Sequence, residues 1–378
     1  MNYLYMLVFT LFLILFIQNA NSSDKIITVT LSESFDTYDI ILYSKTIGVN
    51  KGFEIDMSLD FMWSAFKSFK KQNDNLTYCE LIINSNNYQG CLCSTTFLLD
   101  DNEIVDYPLY YINDRTIFTY DSFPLAYKFS NENRSLIHYL YNNNIIEHRS
   151  FLFYFDFPKQ DAVLYIGGVP DEIKKNKYSI SIDVNQNYKT WGNTLNLIRF
   201  EEHSYTVNSY VYFQANMNGT FVPLTFMYYL RNTLFAKYLI NKDCVVNSQS
   251  ANYEPESFYC NCTIVDSFPN ITMILNGIEF LFSKDDLFQY LSNRCYFTMK
   301  YDRYTKSGWV LGISFLSKYL TYFNYDKDEI TFYSSTPFLI HKEYYTKKKS
   351  TIIISIFNLL SLFLCIYSII LFIIIRRK

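Results

Sequence analysis

Between residues 24 and 335 apolar and polar positions alternate in short runs, broken by Asn, Asp and Gly. The runs 209–215 (SYVYFQA), 271–282 (ITMILNGIEFLF) and 320–333 (LTYFNYDKDEITFY) put their apolar residues on one face of an extended chain, which predicts strands. Asn276-Gly277 inside the second run marks a hairpin turn. Helical spacing is confined to 135–143 (SLIHYLYNN) and 224–238. No period of 20–50 residues recurs, which disfavours a propeller or solenoid. The pattern predicts an all-β body with few helices.

Two segments depart from this alternation. Residues 1–23 carry an apolar stretch followed by small and polar residues around Ala20 and Ser22. Because the apolar run ends before about 20 residues, 1–22 reads as a cleaved signal peptide rather than an anchor. Residues 352–375 form an apolar run without a charge, long enough for a helix to cross a bilayer of about 30 Å. Lys347, Lys348 and Lys349 precede it, and Arg376, Arg377 and Lys378 follow. With both flanks basic, the signal peptide decides orientation. The expectation is a single-pass type I membrane protein with its ectodomain in the secretory lumen or at the cell surface. A juxtamembrane stalk would cover 341–351 and a cytosolic tail 376–378.

Composition sharpens this picture. The chain has 378 residues, 49% hydrophobic and 18% charged, enough for two or three packed domains. Thirty-six Tyr and 34 Phe against 10 Gly and 8 Pro favour strands over a helical bundle. The net charge of −3, with no basic block in the ectodomain, argues against nucleic-acid binding. Seven of the eight cysteines lie in the ectodomain, where an oxidising lumen favours disulfides. CLC and CNC are too tight for zinc-ligand spacing and none of the four His is paired with them, so neither a metal nor another cofactor is expected. Sequons occur at Asn75, Asn133, Asn218, Asn261 and Asn270, of which Asn75, Asn133 and Asn270 are the glycosylation candidates.

Motifs then carry the reading further. Residues 40–63 contain an apolar strand ending at Asp56, followed by Met57, Ser58 and, seven positions after the aspartate, Trp63. Asp121-Ser-Phe-Pro-Leu-Ala-Tyr127, Leu164-Tyr-Ile-Gly-Gly-Val169, Cys262-Thr-Ile-Val-Asp-Ser-Phe-Pro-Asn-Ile271 and Trp309-Val-Leu-Gly-Ile-Ser-Phe315 follow in order. Between the second and third of these, YKTWGNTLNL (188–197) reads as a strand opening a second lobe. In order and spacing these blocks resemble the pepsin-like aspartic protease family over about residues 38–335. The resemblance implies a bilobal, pseudo-symmetric β fold with a cleft between lobes at 23–180 and 181–340. It also implies that Cys262–Ile271 runs as a strand and that Cys262 pairs with Cys295. Cys244 with Cys260 is a reasonable second pair, and Cys79, Cys91 and Cys93 then leave one thiol over.

Such proteases use two carboxylates that share one proton, one acting as base on water and the other as acid. The resemblance places Asp56 at the first. It places Asn216 at the second, in the loop Asn216-Met217-Asn218-Gly219-Thr220, and no Asp occurs between Asp183 and Asp243. Asn cannot titrate, and losing one positioned acid or base costs roughly 10²–10⁴-fold. Met57 and Met217 stand where the family has threonines, Pro124 where it has a glycine, and Ile82 near its flap tyrosine. Asn218, in the floor of the cleft, would stay unmodified. The leading expectation is a membrane-anchored homologue of impaired catalysis that binds peptide or protein in the cleft. A divergent active aspartic endopeptidase and an unrelated all-β surface interaction protein are the alternatives.

Overall fold

The computed structural model describes residues 25–34, 37–44, 49–57, 63–65, 79–85, 88–99, 102–112, 122–127, 135–156, 161–247, 257–291, 293–301 and 308–341. The expected signal peptide 1–22, the apolar run 352–375, the expected tail 376–378, all of the expected stalk but His341, and Ser58, Asn75 and Asn133 lie outside the described residues. No helix among the described residues is long and apolar enough to cross a membrane.

Strands dominate. The first half of the chain supplies β1 (Ile27–Ser34), β2 (Thr37–Ser44), β3 (Val49–Asp56), β4 (Trp63–Ala65), β5 (Cys79–Ser85), β6 (Tyr88–Leu99), β7 (Asn102–Ile112), β8 (Ser122–Pro124), β9 (Ser150–Asp156) and β10 (Asp161–Ile166). The second half begins with β11 (Tyr178–Asp183), β12 (Gly192–Phe200), β13 (His203–Phe213) and β14 (Thr220–Phe221). It continues with β15 (Cys244–Asn247), β16 (Ser257–Asn261), β17 (Ile271–Leu275), β18 (Ile278–Phe282), β19 (Phe288–Leu291) and β20 (Arg294–Phe297). The last strands are β21 (Met299–Lys300), β22 (Trp309–Leu311), β23 (Leu320–Asn324), β24 (Glu329–Ser334) and β25 (Leu339–Ile340).

Among the described residues these form sheets of thirteen, eight and four strands. One stretch of the largest runs β11-β24-β23-β9-β10-β1, and each neighbouring pair is antiparallel. It reads the same from either end: a strand, then a hairpin, meeting its counterpart at β23–β9. Alternation along these strands sends Phe151, Phe153, Phe323 and Phe332 into the main core. Leu152, Leu320 and Tyr333 emerge on the other face with Val169 and Ile173, the latter from the short helix Asp171–Asn176.

The expected hairpin at Asn276-Gly277 is present, joining β17 to β18 with φ of 50° and 80° at its two turn residues. Positive φ at both positions suits Asn-Gly and the right-handed twist of the flanking strands. The helical run 135–143 becomes Leu136–Asn142, and the Ser135 hydroxyl accepts the His138 N–H at 3.4 Å as its N-cap. The run 224–238 divides into Leu224–Asn232 and Ala236–Ile240. Thr233 ends the first piece by donating its hydroxyl to the Tyr229 carbonyl at 2.6 Å, which frees the chain to turn and seat Phe235 against Phe258, centroids 4.0 Å apart. Cys262–Ser267, expected as strand, is a 3₁₀ turn whose N-cap Asn261 accepts the Thr263 N–H. The strand begins only at Ile271, after Pro269 has removed a backbone donor.

The smallest sheet, β15-β16-β20-β19, is held by disulfides Cys244–Cys260 and Cys262–Cys295.

Candidate functional site

The two halves repeat one strand plan around the expected site. In the first, β2, β3, β8, β4 and β7 lie side by side; in the second, β12, β13, β22, β14 and β21 do. The senses agree pair by pair. The first contact is antiparallel in both, the second parallel, the third antiparallel and the fourth parallel. In each half, therefore, a strand ends, the chain turns back, and a later segment threads between the two arms.

Asp56 is the last residue of β3 and stands opposite Pro124. Its neighbours Ile55 and Met57 are buried in the core. Met57 therefore serves as packing, and a threonine there would have to find a partner for its hydroxyl. Ile82, the flap candidate, faces Gly90 directly across the β5–β6 hairpin, at the edge of the sheet.

In the second half β13 ends at Phe213, opposite Leu311 of β22, and the Gln214 N–H donates to the Leu311 carbonyl at 3.0 Å. Gln214 and Ala215 are buried. Asn216, Met217 and Asn218 follow in a turn, each half-buried. The Asn216 Oδ1 is buried and accepts no hydrogen bond from the described residues. The turn closes tightly on β22: the Met217 carbonyl accepts the Ile313 N–H at 2.8 Å and the Gly219 carbonyl accepts the Gly312 N–H at 3.1 Å. A Cβ on Gly312 would collide with both carbonyl oxygens. Gly219 itself has a φ of 101°, a conformation that favours glycine. Thr220 is buried, donates its N–H to the Thr298 carbonyl at 2.9 Å, and shares a hydroxyl contact with Ser314 at 3.2 Å.

Trp191 joins the two strand ends. Its indole N–H donates to the Leu125 carbonyl at 2.8 Å, one residue beyond Pro124. Its own carbonyl accepts the Phe213 N–H at 2.9 Å, one residue before Gln214. The ring is fully buried against Tyr325, Tyr127 and Phe323, at centroid distances of 4.7, 4.8 and 5.1 Å. Tyr325 donates to the Ala126 carbonyl at 2.9 Å, and Tyr127 donates to Asp328 at 2.7 Å. Burial pushes both phenols well above their ordinary range, and the Asp328 carboxylate adds to this at Tyr127. Both stay protonated donors at physiological pH.

The role of Trp191 was not assigned from sequence, although a signal existed. The chain has only three Trp, and all three fall in these two strand plans or at the link between them. Of the glycosylation candidates, Asn270 is exposed. Among the described residues no group of three His, Cys, Asp or Glu could hold a metal ion.

The arrangement offers one carboxylate-bearing strand end, at Asp56, and in the second strand plan a strand end and turn reading Gln-Ala-Asn-Met-Asn-Gly-Thr, without an acid. A family model described as eukaryotic aspartyl protease matches residues 120–334, more than half of the 378 residues. The matched span holds the whole second strand plan and β8, while Asp56 precedes it. No individual curated protein matches the chain.

Proposed function

The chain belongs to the eukaryotic aspartyl protease family, and from that premise we propose that it is a membrane-anchored homologue whose proteolysis is impaired. It binds an extended peptide or a protein segment in the cleft between its lobes. One observation carries this reading: the second strand end and its turn, residues 211–222, contain no Asp or Glu. Proton sharing needs two groups that both titrate, and a carboxamide does not. With Asp56 alone, a bound peptide carbonyl meets no partner carboxylic acid, and the roughly 10²–10⁴-fold normally supplied by such a group is lost. What remains of the inherited scaffold is recognition.

The membrane reading rests on the charge-free run 352–375 and the apolar segment within 1–22, which set the lobes in the secretory lumen or at the cell surface as a type I protein. The exposed Asn270 is then a glycosylation site.

The test is incubation of the full-length protein with a peptide library from about pH 3 to 7, beside its Asn216→Asp variant. No pepstatin-sensitive cleavage by the unmodified protein is expected. Such cleavage would sink the impaired-enzyme reading and favour the divergent active endopeptidase.

A further inference from the structure

The strand registers allow the two halves to be superposed residue by residue. In the first half one row runs Glu54–Ser122–Trp63 across β3, β8 and β4, and its outer residues are nine apart in the chain. In the second half the row Tyr212–Val310–Phe221 crosses β13, β22 and β14, again with nine residues between its ends. A shift of one row changes this separation by two, because β14 and β22 are antiparallel, so only this row repeats the spacing. Two residues on from Glu54 is Asp56, opposite Pro124. Two residues on from Tyr212 is Gln214, whose N–H already bonds Leu311, the neighbour of Gly312.

Burial agrees with this superposition. Asp56 lies between the buried Ile55 and Met57, and Gln214 between the buried Phe213 and Ala215. Separately, Trp191 bonds Leu125, one residue after Pro124, and Phe213, one residue before Gln214, and so links the two plans close to these rows. Placing Asn216 opposite Asp56 instead would make the second turn four residues shorter than the first, and would set half-buried Met217 against fully buried Met57.

We infer that Gln214, rather than Asn216, is the second-lobe counterpart of Asp56, and that Asn216 lies two positions further on, in the turn. This rests on the reading of the chain as an impaired homologue and sharpens it. The residue at the equivalent position is a carboxamide one methylene longer than aspartate, able to donate and accept hydrogen bonds. It offers a bound peptide a neutral partner beside Asp56.

The experiment introduces a carboxylate at each position in the full-length protein: Gln214→Asp, the isosteric Gln214→Glu, and Asn216→Asp, each also combined with Asp56→Asn. The readout is the pH dependence of the urea-unfolding midpoint from about pH 3 to 7, independent of any activity. Two carboxyls in one site cannot both ionise freely, so one titrates at least about one unit above the ordinary carboxylate range. Gln214→Asp or Gln214→Glu is expected to show that shift and to lose it with Asp56→Asn. Asn216→Asp is expected to show no dependence on Asp56. Coupling at Asn216, or at neither position, overturns the inference. Cleavage by the unmodified protein would instead overturn the impaired-enzyme reading and leave this assignment standing.

Discussion

Trp191 makes two backbone hydrogen bonds from the interior of the molecule, one to each strand end of the site. Replacing it with phenylalanine keeps an aromatic ring but strands the Leu125 carbonyl, and an unsatisfied buried acceptor costs about 1–3 kcal/mol. The smaller ring adds a cavity among Tyr127, Phe323 and Tyr325, with its own penalty. Trp191→Phe is therefore expected to lower unfolding stability by about 2–4 kcal/mol in urea denaturation. A loss below about 1 kcal/mol would show that the indole bond is dispensable. Met57 bears on the same scale. It fills a core position beside Asp56, so the replacement of a family threonine there exchanges a hydroxyl for packing.

The β15-β16-β20-β19 sheet is built of strands of four or five residues, too short to hold register on ladder bonds alone. Cross-links compensate. Cys262–Cys295 closes a separation of 33 residues, and Cys244–Cys260 one of 16. In the chain-entropy account such loops contribute about 3–4 kcal/mol each. Serine at both Cys262 and Cys295 is expected to reduce stability by about that amount while leaving the pairing of Cys244 with Cys260 intact. Thermal unfolding with thiol counting checks both halves of that statement. Losing the second disulfide along with the first would mean the sheet depends on Cys262–Cys295 to form.

Across the whole molecule, aromatic packing and phenol burial set an alkaline limit. Burial raises the Tyr210 and Tyr333 phenols to about 12, and pushes Tyr107, Tyr127, Tyr319 and Tyr325 further up. Their unfolded value lies near 10. A raised pKa means the native state holds its proton where the unfolded chain has released it, so stability is intact below about pH 10 and falls as pH climbs toward 12. The urea midpoint is expected to stay level from about pH 8 to 10 and to drop steadily above it. An unchanged midpoint at pH 11 would show these phenols to be solvated. The same tyrosines join the halves, since Tyr127 bonds Asp328 and Tyr325 bonds Ala126, so alkaline loss should open the site early.

Local chemistry was legible along the chain. Alternation marked β17, β18, β23 and β24, Asn276-Gly277 marked their turn, and Ser135 marked a helix start, because each depends on residues a few positions apart. Ordered blocks marked the family, and the lack of any Asp between Asp183 and Asp243 was plain in the chain. The break at Thr233 and the 3₁₀ turn at Cys262 were hidden, since both are set by what Phe235 packs on and by where the chain must re-enter the sheet. Which position of the second turn is equivalent to Asp56 was hidden for a sharper reason. Strand side chains repeat with period two, so Gln214 and Asn216 have the same parity and alternation cannot tell them apart. Only the register of β13 and β14 against the distant β22, locked by hydrogen bonds to Leu311 and Gly312, separates the two.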